Sequence, residues 1–208
     1  MQRRHFLSAS LASALVTTHR KAFARVELGT GTLTTVSDGN LVLPAGFIFD
    51  PMPQDQLQAV RQRHGVESEQ LTPECNLALY RDGTRTVLFD VGSGPDFMPS
   101  AGTVADSLQA LGIAPEDVTH VAFTHAHPDH IWGLIDDFGD LLFPEASYLM
   151  GRAEWDYWLN PSTVDEIGEA RQAFAVGAKR RLEVIEGAVE FFGDGDEILP
   201  GIAAIATY

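Results

Sequence analysis

Cysteine occurs once in the 208 residues, at Cys75, which excludes an internal disulfide and any zinc knuckle built on several thiolates. Any metal bound by this chain must therefore be held by histidine and carboxylate. Basic residues are scarce as well: 14 Lys and Arg face 29 Asp and Glu, a formal net charge of −15. So acidic a surface repels phosphate backbones and anionic lipid headgroups, which argues against nucleic acid or a stable membrane association. Internal repeats and low-complexity linkers are also lacking. What remains, 45% hydrophobic and 21% charged, is the composition of a chain that buries one sizeable core.

Residues 1–24 differ in kind from the rest. They carry Arg3, Arg4, Arg20 and Lys21 and no acid, and without them the chain holds 10 basic and 29 acidic residues, a net of −19. The basic start, the short Ser/Ala/Leu run over 7–16 and the small-residue pattern Ala22-Phe23-Ala24 read as a cleaved export signal, too short to span a membrane. Arg3-Arg4-His5-Phe6-Leu7 resembles a twin-arginine signal, which predicts a periplasmic protein exported in folded form. The domain itself is expected over residues 25–208.

Beyond the signal, 32–37 alternates as a strand and Ser37-Asp38-Gly39-Asn40 has turn chemistry. A helix is expected over 54–64 with Gly65 as its stop, and another over 104–111 ended by Gly112. Two apolar runs, 76–80 and 86–91, flank Arg81-Asp82-Gly83-Thr84 as a hairpin. Residues 119–123 read as a short buried strand, 152–159 and 165–181 as helices, and 189–192 and 202–206 as strands separated by Gly193-Asp194-Gly195-Asp196. Strands that first pair locally and then alternate with helices predict an α+β domain with a mixed sheet and outer helices. The apolar run 202–206, with almost nothing after it, reads as a strand still in need of a neighbour, so a chain continuing past Tyr208 is expected.

The informative stretch is Thr124-His125-Ala126-His127-Pro128-Asp129-His130. It packs three of the chain's 7 histidines and one aspartate into six positions at the end of an apolar strand. On an extended strand end His125 and His127 point to the same side and can share one ion. Pro128 turns the chain, so that Asp129 and His130 can project toward a second ion. Imidazole and carboxylate suit divalent zinc, manganese or iron. Two such ions about 3.5–4 Å apart would lower the pKa of a shared water and generate hydroxide near neutral pH. The alternatives are a histidine cluster acting as general base and a surface loop that binds metal adventitiously.

The segment resembles the His-x-His-x-Asp-His signature of the metallo-β-lactamase fold hydrolases. The resemblance extends to Leu88-Phe89-Asp90-Val91-Gly92, Phe143-Pro144-Glu145-Ala146 and Ala153-Glu154-Trp155, and it is nearest to the branch of methyl parathion hydrolases and acyl-homoserine lactonases. It implies a four-layer αββα sandwich, its second half incomplete here, and two divalent ions, zinc first among them. His125 and His127 would serve the first ion and Asp129 and His130 the second, with Asp129 orienting the hydroxide. The family's other ligands, in a Gly-His-x-x-Gly-His stretch and beyond, would follow Tyr208. The implied reaction is hydrolysis of an ester, lactone, amide or phosphotriester in a small-molecule substrate. A β-lactamase or glyoxalase II-like thioesterase is the alternative, and a non-catalytic metal-binding fragment is one of another class.

The resemblance also gives Asp90 the task of holding the metal loop through hydrogen bonds. Trp132 either lines the substrate entrance or fills core. Phe97 and Met98 are candidates for an apolar wall over the metals, and Glu154, Trp155 and Trp158 read as core and surface with pocket lining as a lesser reading. Cys75 reads as a buried small hydrophobe far from the metal loop. His64 and His120 are isolated and receive no role.

Overall fold

The computed structural model describes residues 23–207. Residues 1–22 of the expected export segment lie outside the described residues. Ala24, at its end, lies against the next strand, its N–H donating to Thr35 Oγ1 at 3.0 Å and its carbonyl accepting from Thr35 N at 2.9 Å.

In chain order the strands are β1 (Arg25–Leu28), β2 (Gly31–Asn40), β3 (Leu43–Pro44), β4 (Gln70–Leu71), β5 (Glu74–Arg81), β6 (Thr86–Phe89), β7 (His120–Phe123), β8 (Ser147–Gly151), β9 (Val189–Phe192), β10 (Glu197–Leu199) and β11 (Ile202–Ala203). The helices are α1 (Ala45–Phe49), α2 (Gln54–His64), α3 (Gly94–Phe97), α4 (Val104–Ala110), α5 (Pro128–Ile131), α6 (Arg152–Leu159), α7 (Thr163–Glu166) and α8 (Gln172–Ile185). Seven strands form one sheet in the order β1-β2-β5-β6-β7-β8-β9. Its first four strands pair antiparallel, and β6 through β9 run parallel. Two two-stranded ribbons, β3–β4 and β10–β11, accompany this mixed sheet and its helices.

The elements follow from their patterns. In β5, Cys75, Leu77 and Leu79 turn inward while their neighbours are more exposed, the period-two alternation of a half-buried strand. In β7, Val121, Ala122 and Phe123 are all buried, as befits a strand in the parallel part of the sheet. Helix α8 buries Ala175, Ala178, Leu182 and Ile185, spaced three or four apart, and packs them into one core with Leu108 of α4 and Trp155 and Trp158 of α6. Helix α2 occupies the expected span and stops where Gly65 takes φ 63°. It buries only Leu57, and belongs to an excursion, residues 41–73, in which the chain leaves the sheet between β2 and β5.

Three expectations are corrected. Ser37 to Asn40 do not form a turn: β2 runs through them with a bulge between Ser37 and Gly39, and Asp38 is fully buried. The helix expected over 165–181 is broken at Gly168, whose φ of 89° separates α7 from a 3-10 turn over Glu169–Arg171 and the longer α8. Strand β8 was not expected at all, because its Tyr148, Leu149 and Met150 form a short apolar run without alternation, ambiguous between helix and strand. Of the final expected strand, Ile202–Ala203 alone is paired, with β10.

The hairpin between β5 and β6 turns as expected. Asp82 Oδ1 accepts the N–H groups of Thr84 at 3.1 Å and Arg85 at 2.8 Å, and its Oδ2 pairs with the Arg85 guanidinium. The backbone bond from Arg85, followed by that residue's side-chain bond, brings the Asp82 pKa down to about 2 from its ordinary 3.8. A depressed carboxylate pKa contributes stability above the unfolded value that is lost as pH falls through the folded one. Asp82→Ala should therefore lower the urea midpoint by a constant amount above pH 5, with the gap to the parent closing between about pH 4 and 2. A gap unchanged down to pH 2.5 would show that the charge contributes nothing.

Candidate metal centre

The metal loop leaves the sheet at the C-terminal edge of its parallel strands, the edge at which open α/β sheets gather their ligands. Register places Phe89 beside Ala122 and Phe123 beside Met150, so the residues that follow β6, β7 and β8 emerge side by side. Asp90, the first after β6, has φ 63°, the one non-glycine residue in that region among those described. Its carboxylate accounts for the strain. One oxygen accepts the Thr124 N–H at 2.7 Å, and the other accepts the Thr124 hydroxyl at 2.7 Å and pairs with His130 Nδ1 at 2.8 Å. Asp90 thus holds both ends of the loop, as expected of it. Beneath it, Asp38 accepts the buried N–H groups of Ser93 at 2.8 Å and Val104 at 3.0 Å.

These contacts set which ring nitrogen each of two histidines turns away from the loop backbone. Because the Thr124 hydroxyl donates to Asp90, its oxygen is left to accept from His125 Nδ1, 3.0 Å away, which leaves the lone pair on Nε2. His130 gives its Nδ1 proton to Asp90 and turns Nε2 toward Asp129 Oδ2, 3.4 Å away, so this nitrogen can take an ion only once its proton has left. His127 closes strand-like backbone with φ −68° and ψ 158°, and its carbonyl accepts from His130 and Ile131 to start α5, with Pro128 at the first helical position.

The structure brings all four expected ligands together. The His125 ring lies 4.7 Å from that of His127 and 3.9 Å from that of His130, and His130 Nε2 stands 3.4 Å from Asp129 Oδ2. Three imidazoles and a carboxylate are a donor set that fits divalent ions. Among the described residues, however, no group of three or more such side chains is arranged to hold one ion. Burial, reinforced by the neighbouring histidines, lowers the His125 pKa, and burial lowers that of His127, so both favour the neutral form that ligation needs. For His130 burial opposes the charge, but its bonds to Asp129 and Asp90 raise its pKa to about 9. Burial likewise works against the Asp129 carboxylate, yet His130 holds it below its ordinary range. An imidazolium between two carboxylates thus supplies the positive charge of the cluster.

A cleft of about 930 Å³ opens on Thr124, His125 and His127 and is walled by Glu154, Trp158 and Phe192. A groove of about 440 Å³ along α2 shares no lining residue with it. Trp132 packs in the core: at Gly177 even a methyl group would fall 2.3 Å from its ring, and the Arg181 guanidinium sits 4.5 Å over its face. Phe97 packs on Trp132 and on Phe174, and Phe174 stands 6.3 Å from His127, so Phe97 is one ring removed from the cluster. Met98 turns away to accept the Val42 N–H. Trp155 packs on Phe191 in the core. His120 sits at the opposite end of β7 from the loop, its Nδ1 2.7 Å from Thr119 Oγ1.

Cys75 is buried, as expected, and its thiol is pushed up to about 11 by burial and then by the charges of Asp129 and Asp38, the β2 bulge pairing it with Gly39, next to Asp38. Sequence reasoning missed the contacts of Glu154, which accepts the Ala126 N–H at 2.9 Å and the Trp158 indole N–H at 2.5 Å. It also missed Arg181, 3% exposed, which donates to the Trp132 carbonyl at 2.8 Å and reaches Asp96 at 3.4 Å. A glutamate in the first turn of a helix gave no sign of its partner 28 residues earlier.

Residues 73–136, which hold the hairpin, Asp90 and the histidine loop, match the family model of the metallo-β-lactamase superfamily. Metallo-β-lactamase domain-containing protein 1 of Xenopus laevis is 34% identical over 119 residues, 57% of this chain and 46% of that protein. Its Mus musculus counterpart is 40% identical over 73 residues, 33% of this chain and 26% of that protein. The chain thus spans less than half the length of these relatives. Among solved structures, AidC, a dizinc quorum-quenching lactonase, superposes with a TM-score of 0.76 at 25% identity, over 86% of this chain and 63% of AidC. The hydrolase AbOPH does so at 0.72 and 26%, over 85% of this chain and 62% of that one. The chain therefore has the metallo-β-lactamase fold, and its residues 73–136, with Asp90 and the histidine loop among them, are the part that matches the metallo-β-lactamase superfamily model.

Proposed function

We propose that this chain is the histidine-bearing part of a metal-dependent hydrolase that opens an ester, lactone, amide or phosphotriester bond in a small substrate. The observation that carries the reading is the Asp90 network, which ties up Nδ1 of His130 and, through Thr124, Nδ1 of His125, so that Nε2 of each is the nitrogen turned into one cluster of donors. His125, His127, Asp129 and His130 would hold the ions, two in number and zinc by preference, given the likeness to a dizinc lactonase. Ions held there supply Lewis acidity and a nucleophile at neutral pH. The chain's own residues do the rest. Asp90 fixes the loop, Asp129, paired with His130, would orient the attacking nucleophile, and the cleft beside His125 and His127 would receive the substrate. Export through residues 1–24 belongs to the same proposal and rests on their sequence pattern.

A second reading, a metal-binding unit without catalysis, is favoured by one observation: no three donors converge among the described residues. One experiment separates the two. Protein loaded with zinc, manganese or iron and freed of excess ion is analysed for bound metal and assayed against an aryl ester, a lactone and a phosphotriester. The hydrolase reading predicts stoichiometric metal and chelator-sensitive turnover of at least one substrate. Bound metal with no turnover favours the second reading, and no bound metal overturns both.

A further inference from the structure

We propose that Glu154 is a positioning residue of this centre, fixing the His125–His127 side of the loop from the neighbouring helix; the inference rests on the metal reading above. Strand β7 ends at Phe123, so the backbone beyond it has left the ladder. Ala126, between the two histidines, is fully buried, and a buried N–H without an acceptor costs about 1–3 kcal/mol. Glu154 Oε1 supplies that acceptor at 2.9 Å. The same oxygen accepts the indole N–H of Trp158, one turn further along α6. The Trp158 ring in turn stands edge-on to His127, with centroids 5.7 Å apart. One carboxylate oxygen therefore fixes the backbone between the histidines and the ring that braces one of them. Because β8 runs parallel beside β7 and leads directly into α6, the clamp comes from a rigid element.

The two bonds share one oxygen, so the amide of Glu154→Gln can keep both, whereas Glu154→Ala removes both. The full chain and its variants are titrated with zinc against a chelator, and the cobalt-loaded forms are compared by their visible spectra. Outer partners of metal ligands are worth about 10–100-fold in affinity. Glu154→Ala is expected to lose that much zinc affinity and to alter the cobalt bands, while Glu154→Gln stays within a few-fold of the parent with its spectrum kept. Parental affinity and spectrum in Glu154→Ala, or equal losses in both variants, would overturn the proposal. Should Glu154→Ala fail to fold, Trp158→Phe decides: shifted cobalt bands are expected, and unchanged ones refute the brace. Amide exchange at Ala126 in metal-free protein tests the clamp without any ion. Faster exchange in Glu154→Ala supports it even if the parent binds no zinc, which would sink the metal reading alone, and unchanged exchange overturns the clamp itself.

Discussion

In metal-loaded protein, His127→Ala is expected to drop bound ion well below the parental content and to cut hydrolysis by more than about a hundred-fold. The scale follows from a comparison: partners that only orient a ligand cost roughly 10–100-fold when removed, so a ligand itself must cost more. The rings that flank His127, Trp158 and Phe174, carry no lone pair to take its place. Burial keeps the imidazole neutral near pH 7, so no proton has to leave before an ion is bound. His64→Ala, at the exposed end of α2, is the control and should change neither quantity. Unchanged metal content and rate in His127→Ala would remove this residue from the centre.

Asp90→Ala should have the second large effect, on the metal-free fold. It takes away the acceptor of two Thr124 bonds and the partner of a half-buried imidazolium, and leaving such groups without a partner costs about 1–3 kcal/mol. Alanine recovers nothing from the backbone, because it would still sit at φ 63°. Asp90→Asn keeps one acceptor and should lose about 1–2 kcal/mol. The pH dependence has a definite sign. Against the effect of burial, the bonds to Asp129 and Asp90 raise His130 to about 9, and a raised pKa contributes stability that is full below the ordinary 6.5 and lost as pH rises through 9. Urea unfolding at pH 6, 7.5 and 9 should show the gap between Asp90→Ala and the parent narrowing with pH. A gap that widens would contradict the ion pair.

Much of this fold is legible wherever a signal is local. Gly65 and Gly112 close their helices at φ 63° and 72°, the hairpin follows from Asp82-Gly83, and the histidine loop is found at the end of its strand. What could not be read depends on register between distant segments. Asp38-Gly39 has the chemistry of a turn, yet Gly39 is required because a methyl there would lie 2.2 Å from the Ser100 carbonyl, and Asp38 serves amides 55 and 66 residues away. Glu154 and Arg181 look like ordinary helix-surface residues until β8 is set beside β7 and α8 is laid against Trp132. Polar side chains that bridge elements carry no periodicity, and nothing short of the assembled sheet names their partners.

The excursion over residues 41–73 has a consequence for how the chain would respond to a protease. Its helix α2 anchors itself through little more than Leu57, so local opening there exposes a cleavable backbone at small cost in free energy. A cut within it would sever no strand of the main sheet, since β2 and β5 lie on either side of it. Those two strands remain joined by eight register pairs from Thr32–Arg81 to Asn40–Glu74. Nicked protein would therefore run as two pieces in denaturant and as one body without it, and the two pieces would divide Asp38 from the loop it supports while leaving each in its place.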